Sequence, residues 1–338
     1  MRAIIIDTPG KFRLGTLPDP TPEPDELVIR VGACGICGTD LHILDGESPL
    51  ARYPIVPGHE LAGEVVAVGT KVERDLTGIR VGSRVAVEPN IHCGRCEFCR
   101  TGHENLCVTY TALGVTRDGA IAEYISVPEK NVYRLPDSMS LQEGALVEPV
   151  SCAVHGMHCL NAKSGDTFLI VGAGTMGLLL LQLALRGGAS KVTVIDVNTQ
   201  RLERAKQLGA SSTHTDIRHY VEDEPSGFDC VIDATGVASV IESAFMAVKR
   251  GGKFMMFGVA PQDARISLSP FRIYNDEITI VGSMAVLFSF QAALDLVQGG
   301  VIDTKTMLTT AFPLADFSHA LDTMRRGEGV KTQVLPNE

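Results

Sequence analysis

The strongest constraint on the fold is a glycine-rich turn between a short apolar run and a helical pattern. The apolar run covers residues 168–171 and the helical pattern covers 175–186. In a strand–turn–helix unit, the first glycine of G-x-G-x-x-G permits a tight turn, the second allows a close backbone approach to a pyrophosphate, and the third allows helix–strand packing. The free N–H groups at the helix N-terminus favour the phosphate. The turn therefore predicts dinucleotide binding through Gly172, Gly174, Thr175, Met176 and Gly177.

Strand and helix patterns continue to alternate after this turn. Apolar runs at 191–195, 229–233 and 253–257 predict buried strands, and helical patterns cover 199–208 and 240–250. Strands that alternate with helices imply a parallel sheet with right-handed crossovers. We therefore predict an α/β fold class with a doubly wound, Rossmann-type domain.

The first 150 residues have a different pattern. Their apolar runs are short and are interrupted by glycine and proline, which predicts a β-rich domain. A length of 338 residues suits two domains.

An aspartate ends the strand that follows the glycine-rich turn. Asp196 lies roughly 20 residues beyond the turn, where an acid that binds the cofactor ribose belongs. Its carboxylate would accept hydrogen bonds from ribose hydroxyls and repel a 2′-phosphate, which favours NAD over NADP. Arg201 lies within reach of the same region and would weaken that preference. Methyltransferases can hold a nucleoside cofactor on a similar loop and acid, so the first domain has to decide between the two classes.

Four cysteines lie close together in the first domain. Four thiolates at this spacing can close a tetrahedron around Zn²⁺ and leave no open position, which indicates a structural site. An iron–sulfur cluster is the alternative, but the spacing fits neither common ferredoxin run. His92 is adjacent and is expected to be a bystander. The predicted structural zinc ligands are Cys93, Cys96, Cys99 and Cys107.

A second, dispersed set of metal-binding residue types precedes and follows this cluster. Cys37 is followed by His59-Glu60, and Glu148 stands before a proline at the end of the first domain. A thiolate, an imidazole and carboxylates provide three protein ligands and leave a fourth position for water or substrate, as in catalytic zinc sites. Cys34 and Cys37 could also be a redox pair, but no βαβ pattern adjoins them.

Composition limits the class of protein. The formal net charge is −10 at pH 7, and no basic stripe stands out that would neutralise nucleic acid phosphates. The most apolar stretch, 168–185, contains three glycines, a threonine and a glutamine, which predicts a buried strand and helix rather than a membrane span. Nine cysteines without an export signal argue against a disulfide framework. We therefore expect a soluble, cytoplasmic protein whose partner is a small molecule, with no nucleic acid and no membrane.

Taken together, these motifs resemble the zinc-containing medium-chain dehydrogenase/reductase family over essentially the whole chain. The resemblance implies a GroES-like catalytic domain formed by residues 1–150 and 290–338, with a Rossmann NAD-binding domain at 151–289. It also implies a homotetramer or homodimer joined through the Rossmann sheets. The matching motifs are Gly35 to His42, Gly58-His59-Glu60 with Gly63 and Val65, the four cysteines, Glu148-Pro149 and the turn at Gly172.

The resemblance assigns roles to individual residues. Cys37, His59 and Glu60 would hold a catalytic zinc, and the residue that matches Glu148 in relatives either binds the metal or serves its water or the proton relay. Two zinc ions per chain would then be present. Thr39 and His42 would carry the hydroxyl proton to water, since imidazole titrates near neutral pH. Val259 and Met284 are expected to contact the cofactor.

The resemblance implies hydride transfer from a secondary alcohol to NAD, which gives the ketone. Gly-His-Glu and Glu148-Pro149 are similar to the polyol branch, which includes sorbitol and arabitol dehydrogenases, whereas residues 37–43 are also similar to threonine dehydrogenases. Animal sorbitol dehydrogenases carry an Arg-Tyr pair where this chain has Ala285 and Val286, which favours another polyol or secondary alcohol. The alternatives are an L-threonine 3-dehydrogenase-like or general secondary-alcohol dehydrogenase and, from another class, a non-catalytic protein that binds zinc and a nucleotide.

Overall fold

The computed structural model describes residues 1–72, 78–218, 220 and 226–338. The chain divides into two compact units. Unit 1 comprises Met1–Ser151, Val286–Gln298 and Leu308–Glu338, and unit 2 comprises Cys152–Ala285 and Gly299–Met307. The functional domains predicted at 1–150 with 290–338 and at 151–289 stay a prediction, since compactness does not say what each part does.

Most of the strands described have seven residues or fewer, and the longest has ten. They are β1 (Arg2–Thr8), β2 (Lys11–Thr16), β3 (Glu26–Gly35), β4 (Glu60–Val68), β5 (Arg84–Val87), β6 (Asn90–Ile91), β7 (Thr111–Ala112), β8 (Tyr124–Pro128), β9 (Val132–Arg134), β10 (Thr167–Val171), β11 (Lys191–Ile195), β12 (Ser212–His214), β13 (Phe228–Asp233), β14 (Val248–Met256), β15 (Thr279–Gly282), β16 (Leu308–Pro313) and β17 (Lys331–Leu335).

Among the residues described, no helix is both long and apolar enough to span a membrane. The α-helices are α1 (Gly38–Asp45), α2 (Glu97–Arg100), α3 (Leu141–Ala145), α4 (Val147–Leu160), α5 (Thr175–Arg186), α6 (Thr199–Gln207), α7 (Ala238–Phe245), α8 (Pro270–Asn275), α9 (Phe290–Gln298), α10 (Thr304–Met307) and α11 (Phe317–Arg325). Single 3₁₀ turns lie at Glu104–Leu106, Glu129–Asn131 and Leu314–Asp316.

Unit 2 contains a six-stranded sheet in the order β12-β11-β10-β13-β14-β15, and every neighbouring pair is parallel. The strand order reverses between β10 and β13, which makes the carboxyl end of β10 the topological switch point where such sheets bind ligands. The glycine-rich turn follows β10 directly and leads into α5. The predicted Rossmann-type parallel sheet is therefore confirmed.

One predicted element of unit 2 is wrong in its extent. The helix predicted over 240–250 ends at Phe245, and the chain enters β14 at Val248. The reason is tertiary: Val248 pairs with Phe228 of β13, and Phe228 N–H donates to the carbonyl of Ala247 at 2.8 Å. Pairing in the sheet therefore overrides the local helical pattern.

Unit 1 is built on a mainly antiparallel sheet in the order β16-β17-β3-β4-β5-β9, with β8 also paired to β3. Among its described residues, the larger of two buried apolar clusters includes Leu27, Ile29, Val31, Leu61, Val65 and Val85. Gly35 at the end of β3 is paired with Glu60 at the start of β4, and Gln333 of β17 is paired with the same glycine. Three segments that are distant in sequence therefore meet at one end of β3.

Candidate functional site

Three side chains with metal-binding atoms converge where β3 and β4 pair. Cys37 follows β3, His59 precedes β4, and Glu60 is the first residue of β4. One sulfur, one ring nitrogen and one carboxylate oxygen of these residues all lie within 4.8 Å of one another. His59 and Glu60 are buried, and Cys37 is partly buried. The sheet register thus brings together three of the four predicted ligands of a catalytic zinc.

A buried aspartate that sequence reasoning missed holds this cluster together. Asp40, in the first turn of α1, accepts hydrogen bonds from the backbone N–H groups of Cys37 at 2.8 Å and Gly58 at 3.0 Å. Its Oδ1 also lies 3.8 Å from Nδ1 of His59. The signal was present in the sequence, because an acid three residues after a helix N-cap closes a capping box. Asp40 therefore fixes the segments that carry Cys37 and His59.

A buried lysine was also missed. Lys331, the first residue of β17, donates a hydrogen bond to Oε1 of Glu60 at 2.6 Å and another to the carbonyl of Ile36 at 3.0 Å. Its ammonium nitrogen lies 2.5 Å from the second carboxylate oxygen of Glu60. No local motif marks this lysine, since it reaches the site only because β17 pairs with β3. It compensates the buried charge of Glu60.

The electrostatics of the cluster favour a cation. Burial opposes a charge on His59, but Asp40, Cys37 and Glu148 outweigh it and raise the pKa of the imidazole well above its usual value. Burial likewise opposes the charge on Lys331, yet Glu60, Cys37 and Glu148 raise the pKa of its ammonium group. Acidic groups thus outnumber the basic ones at this place.

The chemistry of the donor set fits zinc. Zn²⁺ is bound in proteins by cysteine sulfur, histidine nitrogen and carboxylate oxygen. Within the part of the chain described, Nδ1 of His59 is buried and has no hydrogen-bond partner, and Oε2 of Glu60 is buried against the ammonium group of Lys331. A bound cation would compensate the excess negative charge that surrounds them. Cys37, His59 and Glu60 can therefore hold a zinc ion.

Glu148 lies near this cluster but is not part of it. It is the second residue of α4 and is 7% exposed. After burial and Asp40, its charge is among the contributions that determine the pKa of His59. The carboxylate is thus within electrostatic reach of His59, and its role as a metal ligand or in the proton relay stays a prediction.

The two residues predicted to carry a proton both lie on α1. Oγ1 of Thr39 is 3.7 Å from Sγ of Cys37. His42 lies one turn further along the helix, and its Nδ1 is 2.7 Å from Oε2 of Glu47. His42 is 40% exposed at its side chain, so α1 leads from the metal-binding cluster to solvent.

The four clustered cysteines form a second, closed group. Their sulfurs all lie within 4.8 Å of one another, with Cys96–Cys99 at 3.5 Å and Cys93–Cys99 at 3.9 Å. Zn–S bonds of about 2.3 Å place tetrahedral sulfurs about 3.8 Å apart, so the group fits a ZnS₄ site. Hydrogen bonds from the backbone N–H groups of Arg95 and Cys96 lower the pKa of Cys93 to about 6, which favours the thiolate that zinc requires. His92 faces Glu104 instead, at 3.5 Å.

The glycine-rich turn of unit 2 has the geometry that each glycine was predicted to provide. Gly172 has a φ of 103°, which only glycine adopts readily. A Cβ at Gly177 would lie 1.8 Å from the carbonyl oxygen of Gly172, so helix α5 could not approach the turn with a larger residue there. A Cβ at Gly174, the N-cap of α5, would meet nothing within 4 Å. The backbone at Gly174 is therefore open to a ligand, and Thr175 and Met176 follow in the first turn of the helix.

Asp196 is tied to this turn. Its carboxylate accepts hydrogen bonds from the backbone N–H groups of Ala173 at 2.6 Å and Asn198 at 2.7 Å. Nη1 of Arg201 lies 4.0 Å from the same carboxylate. The aspartate is thus held beside the phosphate-binding turn with the arginine next to it, as the sequence suggested. Val259 and Met284, also predicted to contact the cofactor, are 77% and 41% exposed.

Comparisons with known proteins agree with both halves of this description. Residues 23–137 match the alcohol dehydrogenase GroES-like domain family, and residues 175–299 match the zinc-binding dehydrogenase family. The chain is 35% identical to D-arabinitol dehydrogenase 1 of Uromyces fabae over 100% of this chain and 97% of that protein. It is 34% identical to sorbitol dehydrogenase of Bacillus subtilis (strain 168) over 100% of this chain and 98% of that protein.

Solved structures give the same result. A zinc-binding dehydrogenase from Sinorhizobium meliloti 1021, bound to NADP, superposes with a TM-score of 0.92 at 35% identity over 99% of each chain. An alcohol dehydrogenase from Escherichia coli CFT073, in complex with NADH, has a TM-score of 0.92 at 29% identity over 99% of each chain. Both nicotinamide cofactors therefore occur among the neighbours. The chain belongs to the zinc-containing medium-chain dehydrogenase/reductase family, in its polyol dehydrogenase branch, and is an NAD(P)-linked oxidoreductase.

Proposed function

We propose that this chain oxidises a secondary alcohol group of a polyol or sugar alcohol to the ketone, with NAD as the hydride acceptor. The observation that carries the proposal is the contrast between its two metal-binding groups. Four thiolates close the Cys93–Cys107 group, whereas Cys37, His59 and Glu60 supply three donors and leave a fourth position for a small ligand. The names of the arabinitol and sorbitol dehydrogenases to which the chain is similar support a polyol as that ligand.

The chain's own residues prepare the site for this reaction. When bound, zinc would supply a Lewis acid that lowers the pKa of the alcohol hydroxyl, and NAD would supply the hydride acceptor. Asp40 holds the backbone at Cys37 and Gly58, and Lys331 holds the carboxylate of Glu60. Donor atoms that are held in this way need little rearrangement when the ligand arrives.

The proton of the alcohol needs a path to solvent, and α1 offers one. Thr39 would accept the hydroxyl proton and pass its own proton to His42, which is exposed enough to release it to water. Glu148 is the third candidate for this chemistry, because its charge acts on the same cluster.

We propose NAD rather than NADP as the preferred cofactor. Asp196 is held at the glycine-rich turn by two backbone N–H groups, which places a negative charge where a 2′-phosphate would have to lie. Arg201, 4.0 Å away, offsets part of that charge. Gly172, Gly174, Thr175, Met176, Gly177, Val259 and Met284 complete the proposed cofactor site.

The division of labour between the units follows from these sites. Unit 1 carries both metal-binding groups and is proposed as the catalytic domain, and unit 2 carries the glycine-rich turn and is proposed as the NAD-binding domain. We propose a homodimer or homotetramer. β15 is one of the two edge strands of the parallel sheet, and Phe271 and Tyr274 on the helix before it are 71% and 82% exposed. Such edges and apolar surfaces are association sites.

A reducing, cytoplasmic location is proposed from the state of the cysteines. All nine are free thiols. Zinc binding by the Cys93–Cys107 group requires that these thiols stay reduced, and disulfides are rare in the cytosol.

The substrate assay tests the central proposal. Purified protein is incubated with NAD and a panel of polyols, aldonates, L-threonine and simple secondary alcohols, and NADH absorbance is followed. We expect turnover with a polyol other than sorbitol, because Ala285 and Val286 provide no guanidinium or phenol. Turnover confined to L-threonine would favour the threonine 3-dehydrogenase alternative, and zinc and NAD binding without any turnover would favour a non-catalytic binding protein.

A further inference from the structure

The proton path proposed above ends at the turn that follows helix α1. Helix α1 is followed by its C-cap residue Gly46, which adopts the left-handed conformation with φ 79° and ψ 16°. The backbone N–H of Glu47 then donates to the carbonyl of His42 at 2.8 Å. The chain therefore folds back over the last turn of α1 and brings the side chain of Glu47 onto that of His42.

The two side chains make a direct contact. Nδ1 of His42 and Oε2 of Glu47 are 2.7 Å apart. An ionised carboxylate can only accept a hydrogen bond, so Nδ1 must carry the proton and donate it. In a neutral imidazole only one nitrogen is protonated. The contact thus selects the tautomer in which Nε2 is the basic nitrogen.

Neighbouring side chains make contacts of their own and do not compete with Glu47 for His42. Asp45, the last residue of α1, forms an ion pair with Arg325 at 2.6 Å, so its charge is already compensated. The hydroxyl of Tyr53 donates to the carbonyl of Ile43 in the same turn. The C-terminal end of a helix also favours a positive charge, which an imidazolium at His42 would supply.

We propose that Glu47 is a positioning residue for proton transfer, which holds His42 in the tautomer whose Nε2 accepts the proton. This inference rests on the proposed function, in which His42 is the end of the relay. The balance is simple: the alcohol proton goes to Oγ1 of Thr39, the proton of Thr39 goes to Nε2 of His42, and Nε2 then releases one proton to water. Nδ1 keeps its proton throughout, hydrogen-bonded to Glu47.

The first test is spectroscopic and independent of turnover. Nitrogen-15 NMR of histidine-labelled protein distinguishes the two imidazole tautomers, and the signals of His42 are those absent from the His42→Gln variant. We expect the wild type to show protonated Nδ1 at high pH, and Glu47→Ala to shift His42 towards the other tautomer. An unchanged tautomer in Glu47→Ala would overturn the proposal.

The second test is kinetic. Glu47→Gln and Glu47→Ala should lower kcat for alcohol oxidation about three- to tenfold and change its pH profile, with KM little altered, because a general base in the wrong tautomer is lost to catalysis. Glu328→Gln is the matched control, since Glu328 is equally exposed at 56% and pairs with Arg326 at 3.0 Å. In a His42→Gln background, Glu47→Ala should have no further effect on kcat.

The outcomes separate this inference from the proposed function. If His42→Gln lowers kcat while both Glu47 variants behave like Glu328→Gln, the relay stands and the role of Glu47 is wrong. Full activity and an unchanged pH profile in His42→Gln would remove the relay and the inference with it. An additive loss in the double variant, or a loss explained by a lower Tm of Glu47→Gln, would mark Glu47 as merely structural.

Discussion

At the scale of single residues, two buried acids of the proposed catalytic site have identifiable partners. Asp40 is satisfied by two backbone N–H groups and Glu60 by Lys331. Cys37 and His59 are left to bind a ligand. Sequence reasoning found Cys37, His59 and Glu60 through motifs. It missed Lys331, because an isolated lysine carries no signal until the strand pairing is known.

Cys37→Ser should abolish turnover and leave the fold and NAD binding largely intact. The thiolate belongs to a cluster with an open position, so its loss removes a metal ligand but little buried apolar surface. We would measure kcat, thermal melting and NAD binding by fluorescence titration. Retention of substantial kcat, or a large fall in Tm, would contradict the role given to Cys37.

Asp196→Ala should raise the KM for NAD about tenfold and relax the rejection of NADP. The variant loses the carboxylate that would bind the ribose hydroxyls and repel a 2′-phosphate. Steady-state kinetics with both cofactors provide the measurement. A wild-type protein that already prefers NADP by a wide margin would show that Arg201 dominates.

Glu88→Gln should alter the dependence of stability on pH. Burial raises the pKa of Glu88 to about 7, against a weaker, opposing hydrogen bond from Tyr133. The folded pKa lies above the unfolded value of about 4.3. The contribution of Glu88 to the free energy of unfolding is therefore fully retained below about pH 4 and is lost as the pH rises from there through about 7. Glutamine stays neutral, so the variant should be more stable than the wild type by about 1–3 kcal/mol above pH 8. Urea unfolding of both proteins at about pH 5.5 and 8.5 measures this, and a parallel pH response would refute it.

At the scale of elements, the sequence correctly predicted a helix whose ends are set by neighbouring residues, but not elements that depend on distant strands. The helix predicted over 175–186 is observed as Thr175–Arg186, since the glycine-rich turn marks its start and Gly187 its end. The helix predicted over 240–250 was too long, because Val248 forms a strand with a partner 20 residues earlier. The convergence of β3, β4 and β17 on one site was not predictable from spacing, since register is decided by the whole sheet.

We expect the loop that carries the four cysteines to depend on a bound zinc ion for its stability. α2 has four residues and the adjoining 3₁₀ turn has three, and Phe98, Leu106 and Val108 are exposed. Cys99→Ser should therefore destabilise this loop, because a closed structural zinc contributes folding free energy directly. Thermal melting and limited proteolysis between 93 and 107 would show it. If Cys99→Ser melts no lower than Cys37→Ser, the two groups do not differ in function as proposed.

At the scale of the whole molecule, the two metal-binding groups both belong to unit 1, and the cofactor turn belongs to unit 2. Fully active, freshly purified protein should contain two zinc ions per chain. Mild chelation should remove the ion at Cys37, His59 and Glu60 first, because that group is open, and activity should fall before Tm does. Metal analysis by mass spectrometry is the check, and about one zinc per chain in active protein would be incompatible with the proposal.

The ion pair between Glu60 and Lys331 joins residues 271 positions apart, and all residues of unit 2 lie between them in the sequence. During biosynthesis, Cys37, His59 and Glu60 leave the ribosome long before the strand that supplies the lysine. The nascent chain must therefore carry an exposed, uncompensated set of metal ligands while the intervening residues are translated. The charge of Glu60 is compensated as in the folded chain only once β17 has been synthesised and has paired with β3.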